Sequence, residues 1–344
     1  MKRLKSLAKK IVSVMPELTV RRSATLALGN ARLNLPYIDR TIADLPLALS
    51  KTDNDSAIVI AAGPSLHRKD PAPQIKKSHY RGEVVCTDGG LGYCLRNGVI
   101  PEYVVTLDPH PTRICRWFGD PDLDLQQNGD DYFRRQDLDP HLNTDEQKRN
   151  GELVDLVNQH GPRIRAAICT SVSPRVTRRC LQAGMQLYWW NPILDNFEKQ
   201  DSMTRKLYRS NGVPCMVSGG NSGTAAWVLG HTVLSKREVV LVGMDLSYPP
   251  ETPLEKTQYY KELQELFGER VSDAFIKVYN PYLKETWYAD PAYYWYRQSL
   301  LQMARQAACV TYNCTEGGTV FGKGIKFISL KDFLIGSNRA TSET

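Results

Sequence analysis

From residue 57 onward, apolar residues fall into short unbroken runs separated by stretches of helical period. The runs are 57–61 (AIVIA), 83–87 (EVVCT), 103–107 (YVVTL), 166–170 (AAICT), 186–190 (QLYWW), 238–242 (EVVLV) and 308–312 (ACVTY). Their shortness and their content of β-branched and aromatic residues predict strands. Helical patterns occupy 88–97, 174–183, 221–234 and 291–307 between them. Strands that are apolar on both faces and alternate with helices predict a mostly parallel sheet covered on both sides. The fold class is therefore α/β, doubly wound and Rossmann-like, with helices on both faces of the sheet.

Two stretches break the alternation. Residues 119–163 hold eleven acids and five bases and read as an insertion, helical at 150–159 and otherwise loop. Residues 249–296 are rich in aromatics, with Tyr279, Tyr282, Trp287, Tyr288, Tyr293, Tyr294, Trp295 and Tyr296 close together. This second stretch is too turn-rich for a strand of the main sheet. The expected organisation is a basic amphipathic helical segment at 1–50 and a Rossmann-like domain at 51–335 carrying both insertions. A disordered tail follows at 336–344.

Composition narrows the class. The 344 residues are 42% hydrophobic and 24% charged, a balance that excludes disordered, collagenous and coiled-coil proteins. No run approaches the roughly 20 apolar residues of a membrane span, so a soluble chain is expected. Residues 1–22 contain Lys2, Arg3, Lys5, Lys9, Lys10, Arg21 and Arg22 against Glu17, and so hold nearly all of the net charge of +7. The rest of the chain is close to neutral, and no nucleic-acid partner is expected. The basic segment reads as a solvated helix packed on the main domain, or as a peripheral contact with anionic lipid. Lys9 and Lys10 interrupt the apolar run that a signal peptide would need, which makes the expected location cytoplasmic. Eight cysteines show no CxxC or zinc spacing and are expected to be reduced and mostly buried.

Candidate chemistry sits at the ends of the predicted strands, where open α/β sheets bind ligands. Gly63, Pro64 and Ser65 follow the first strand, where a glycine admits close backbone approach and a hydroxyl can donate to a phosphate. A Gly-Pro turn also needs no ligand. Asp88 and Gly89 follow the second strand, suited to a ribose or base contact, or to capping the next helix. Asp108 and His110 follow the third strand. Ser218, Gly219, Gly220, Asn221 and Ser222 open an apolar helix and can hold an anion, or cap it. Asp245 ends the 238–242 strand. No HxH, HExxH or DxD pattern marks a metal site.

Six motifs together resemble the MptE-like family, which includes archaeal 6-hydroxymethylpterin diphosphokinases and the bacterial motility-accessory-factor (Maf) glycosyltransferases. They are Asn34-Leu35-Pro36, IVIAAGPSL, GVIPEYVVTLDP, SGGNSGTAAWVLG, VVLVGMDLSY and the run from Asn313 to Gly318. The resemblance covers about residues 28 to 334. The diphosphokinases resemble one another in a paired-acid TDLDG sequence, where this chain has Thr106-Leu107-Asp108-Pro109 with a single acid. The NLP and TEGG motifs resemble the glycosyltransferase branch, which is similar to sialyltransferases in using a GPS turn for a CMP-activated sugar.

The resemblance implies a nucleotide-sugar-dependent glycosyltransferase that moves a nonulosonic acid from a CMP donor to a protein or glycan acceptor, with no cofactor required. Gly63, Pro64 and Ser65 would hold the nucleotide phosphate, and Asp88 and Asn221 the ribose or base. The 218–222 turn would hold the sugar carboxylate or phosphate. Asp108 is the first candidate base, with His110 and Asp245 as further catalytic candidates. Trp287, Tyr288 and Tyr294 are expected as a wall on which the acceptor stacks. The alternatives are a pterin diphosphokinase in which Asp88, Asp108 and Asp245 collect magnesium around ATP, and a nucleotide-sugar-binding protein without catalysis.

Overall fold

The protein's structure, a computed structural model, describes residues 11–15, 25–45, 55–123 and 146–342. Nine parallel strands form one sheet: β1 (Ser56–Ile60), β2 (Glu83–Thr87), β3 (Tyr103–Thr106), β4 (Arg165–Cys169), β5 (Gln186–Pro192), β6 (Cys215–Met216), β7 (Glu238–Val242), β10 (Val310–Asn313) and β11 (Ile325–Phe327). A separate antiparallel hairpin is made by β8 (Ile276–Asn280) and β9 (Glu285–Ala289). Every residue of β1, β2 and β3 is buried, as a central strand covered on both faces requires. All seven expected strands form, within two residues of their predicted limits.

The spatial order is β11-β10-β7-β1-β2-β3-β4-β5-β6. The chain steps outward from β1 to β6, then returns to lay β7 on the other side of β1. That reversal puts the topological switch point between the carboxyl ends of β1 and β7, where the two neighbouring crossovers lead away to opposite sides and leave a crevice.

Several elements differ from expectation. The two-residue strand β6 and the three-residue strand β11 are too short to show a period. The 249–296 insertion keeps out of the main sheet but contains the β8–β9 hairpin, which builds its own small core of Tyr248, Leu263, Val271, Ala274, Phe275 and Tyr288. The helix at Glu146–His160 replaces the one expected at 150–159, and residues 124–145 of that insertion lie outside the described residues. Of the tail expected at 336–344, residues 336–342 continue a helix, Leu330–Ser342, anchored by buried Leu330, Phe333 and Leu334, and 343–344 lie outside the described residues. The helix expected at 221–234 is α-helical over Ser222–Val228 and widens to a π turn over Leu229–Val233.

The N-terminal segment packs onto the main body over residues 25–45. Its 25–34 helix places Asn30 and Asn34 on one face, four residues apart. Asn34 is fully buried and donates to the carbonyls of Thr170 (3.0 Å) and Val172 (2.8 Å), and it accepts from Thr177 Oγ1 (2.8 Å). Asn30 donates to the carbonyls of Pro109 and Ser171. The segment is thus stitched to the loops after β3 and β4, and Thr41 bridges Trp189 of β5. Residues 1–10 and 16–24, which hold the basic charge, lie outside the described residues.

All eight cysteines are free; six are buried and Cys215 and Cys309 are half-buried. Among the described residues no helix is long and apolar enough to cross a membrane.

Candidate active site

The carboxyl ends of β1, β2, β3, β6 and β7 open into one cleft of about 1170 Å³. Its lining includes Gly63, Pro64, Asp88, Gly89, Asp108, His110, the whole 218–222 turn and Asp245. Of the predicted phosphate and nucleotide residues, only Ser65 is absent from the lining. Its hydroxyl is taken up by Asp245 instead.

Ser65 is buried, and its Oγ donates to Asp245 Oδ1 at 2.5 Å while its backbone N–H donates to Oδ2 at 3.1 Å. Asp245 is 1% exposed, with both carboxylate oxygens occupied by the same residue, and burial pushes its carboxyl up to about 6. The pair therefore latches the β1 turn to the β7 turn across the switch point. Gly63 is required by the same closeness, since a Cβ there would sit 2.2 Å from Asp245 Oδ2 and 2.5 Å from the Gly243 carbonyl. The TEGG run explains itself here as a buttress. Thr315 Oγ1 accepts from Met244 N, Gly318 at φ +74° lies against the Asp245 backbone, and Thr319 N donates to the Asp245 carbonyl.

Asp88 is also buried, accepting from Thr106 Oγ1 (2.8 Å) and Gly89 N (2.9 Å), and desolvation raises it to about 6. Capping of the Asp88–Arg96 helix falls to Thr87, whose side chain accepts from Gly90 N. Asp88 is left as the buried polar floor of the cleft.

Asp108 is the most exposed of the three strand-end acids. Its Oδ2 is paired with Arg113 Nη2 at 2.5 Å, its Oδ1 accepts from His110 N, and 36% of the side chain stays exposed. His110 caps the Pro111–Trp117 helix by accepting from Arg113 N at Nδ1, so the neutral ring carries its proton on Nε2. In that state His110 is a donor, not the base expected of it. Arg113 and Trp117 also line the cleft, with the guanidinium 5.1 Å from the indole centroid. Neither was among the residues expected at the site, although their i, i+4 spacing puts both on one helix face.

The 218–222 turn is built on left-handed backbone, with Gly219 at φ +57° and Gly220 at φ +88°. A Cβ on Gly220 would come within 2.7 Å of Trp295 and Tyr296, and one on Gly223 would meet Met244 at 2.6 Å. Asn221 caps the following helix, accepting from Thr224 N at 2.8 Å. The richness in glycine thus answers to backbone shape and packing, and the turn still faces the cleft.

The aromatic wall consists of different residues from those expected. Trp287 is 2% exposed, Tyr288 is held in the hairpin core by donating to the Thr252 carbonyl, and Tyr294 stacks under Arg297. None of the three lines the cleft. Its aromatic lining is Trp117, Tyr259, Tyr293, Trp295 and Tyr296. The Pro291–Ala304 helix rotates Tyr294 away from the cleft while presenting Trp295 and Tyr296, and that rotation depends on where Asp290 starts the helix.

Asp88, Asp108 and Asp245 do not act as a joint ligand set. Each is engaged with its own protein partners, and among the described residues no three His, Cys, Asp or Glu side chains gather as metal ligands. The donor set does not fit the magnesium site of the diphosphokinase alternative.

Comparison with known proteins agrees with this architecture. Residues 30–116 match the family model described as 6-hydroxymethylpterin diphosphokinase MptE-like. No curated protein matches the chain by sequence. Among solved structures, the MAf glycosyltransferase from Magnetospirillum magneticum AMB-1 is similar with a TM-score of 0.51 and 16% identity, over 85% of this chain and 38% of that one. This chain therefore spans well under half of that protein's length, and at such identity the likeness is one of fold.

Proposed function

We propose that the protein is a glycosyltransferase that moves a nonulosonic acid from a CMP donor to an acceptor hydroxyl. The observation that carries the reading is the content of the cleft at the switch point. Two glycine turns and five carboxylates (Asp88, Asp108, Asp245, Glu262 and Asp290) line it, with Arg113 as the single Lys or Arg among the described lining residues and already paired to Asp108. Such a site suits a donor with one phosphodiester better than a nucleotide with three phosphates. The fold likeness to a glycosyltransferase supports the same class.

In this reading Gly63, Pro64 and the 218–222 turn take the phosphate and the sugar carboxylate, and Asp88 receives ribose hydroxyls. The acceptor oxygen forms a bond to the anomeric carbon as the bond from that carbon to the phosphate oxygen breaks. The electron pair leaves with CMP, Asp108 takes the hydroxyl proton, and His110 Nε2–H donates to the departing phosphate.

The test is a thermal-shift screen with CMP, UDP, GDP and ATP in EDTA. CMP at 100 times its Kd should stabilise the protein by about 2.7 kcal/mol, and ATP should not. The second reading, pterin diphosphokinase, is favoured by the description of the matching family. AMP release from ATP, magnesium and 6-hydroxymethyl-dihydropterin would replace the first reading with it. CMP binding without transfer to any acceptor would leave a nucleotide-sugar-binding protein.

A further inference from the structure

Among the large apolar side chains that remain exposed, Leu26, Ile193, Val217 and Leu266 all line the same cleft as the polar strand ends. Leu266 is 73% exposed, on the Tyr260–Phe267 helix. Ile193 and Val217 follow the adjacent ends of β5 and β6, and Leu26 comes from the N-terminal helix. Isolated exposed hydrophobes need no explanation. Four from separate parts of the chain, converging on a cleft with a polar floor, mark a ligand that is polar at one end and apolar at the other. A CMP-sugar is polar throughout and does not use such a mouth.

The chain next to the mouth indicates where the apolar part comes from. Ile11 and Met15 line the cleft, and they lie within residues 1–22, which hold seven basic residues against one acid. Lys9 and Lys10 immediately precede Ile11 in the sequence, and a segment both basic and apolar complements an anionic bilayer surface, where headgroups attract Lys and Arg while alkyl chains meet the hydrophobes.

We propose that the acceptor is a lipid-linked hydroxyl compound met at an anionic membrane surface, its alkyl portion lying against Leu26, Ile193, Val217 and Leu266 and its hydroxyl reaching Asp108. The identity of the hydroxyl as acceptor rests on the glycosyltransferase reading; the membrane contact does not.

Flotation of the full-length protein with vesicles of phosphatidylcholine, alone or mixed with phosphatidylglycerol, tests the contact. Binding is expected only with phosphatidylglycerol, weakened at least about tenfold by Lys9→Glu with Lys10→Glu. The pair Val217→Ser and Leu266→Ser should weaken it several-fold while folding, followed by circular dichroism, is retained. Binding indifferent to phosphatidylglycerol, or to the serine pair, overturns the proposal. The CMP thermal shift of the wild type is read separately, so loss of the donor reading is distinguished from loss of the membrane contact. With both intact, label from a CMP-sugar should pass into the organic phase of a membrane extract, and label confined to protein would overturn the lipid acceptor.

Discussion

At the scale of single residues, the acids at the strand ends have divided their labour in a way their spacing did not show. Asp245, expected as catalytic, is held by Ser65 in the interior, so Ser65→Ala should leave a buried carboxylate short of a donor. We expect a loss of about 1–3 kcal/mol in urea unfolding. Asp88, Asp245 and Asp290 are each raised by burial to about 6. Between the unfolded value near 3.8 and about 6 the native state therefore binds more protons than the unfolded chain. Their contribution to stability declines as pH rises through that window and levels off above it. Asp290 is the simplest to isolate, because Asn also caps helices well and can keep the bond from Tyr293 N. Melting temperatures from pH 4 to 7 should show Asp290→Asn gaining on the wild type as pH rises. Parallel curves would contradict the assignment.

At the scale of elements, the 218–222 turn and the aromatic insertion depend on each other. Gly220→Ala meets both a left-handed backbone and the rings of Trp295 and Tyr296, and should cost more than about 1 kcal/mol while abolishing the CMP thermal shift. The expected wall residue Trp287 belongs instead to a buried position, so Trp287→Ala should cost about 3–5 kcal/mol rather than change acceptor kinetics. Trp295→Ala is the variant predicted to raise the acceptor KM with kcat nearly unchanged. Asn34→Ala would strand two carbonyls and the Thr177 hydroxyl, and hydrogen exchange should rise across 25–45 ahead of the sheet.

At the scale of the whole molecule, the reversal of strand order at β1 creates the cleft and brings together residues from 63 to 245. With that site assembled, Asp108→Asn should lower kcat on the order of a hundredfold or more, with CMP affinity kept, if Asp108 takes the acceptor proton. Retained turnover would restrict Asp108 to holding Arg113.

The hydrophobic pattern alone determined the sheet, its parallel sense and the edge on which chemistry would gather, because strands buried on both faces need continuous apolar runs and open parallel sheets bind ligands at their carboxyl ends. Gly63, Asp88, Asp108 and the 218–222 turn were legible for that reason. The short strands β6 and β11 were not, having no room for a period, and neither was the hairpin, because its second strand, Glu285–Ala289, does not alternate. Which strand-end acid keeps an exposed oxygen and which has both oxygens taken up by the protein was decided by tertiary structure, since Ser65 and Asp245 meet only when β7 returns beside β1. The same holds for the aromatics: adjacent Tyr294 and Trp295 differ by about 100° around a helix, and only its docking chose which of them lines the cleft.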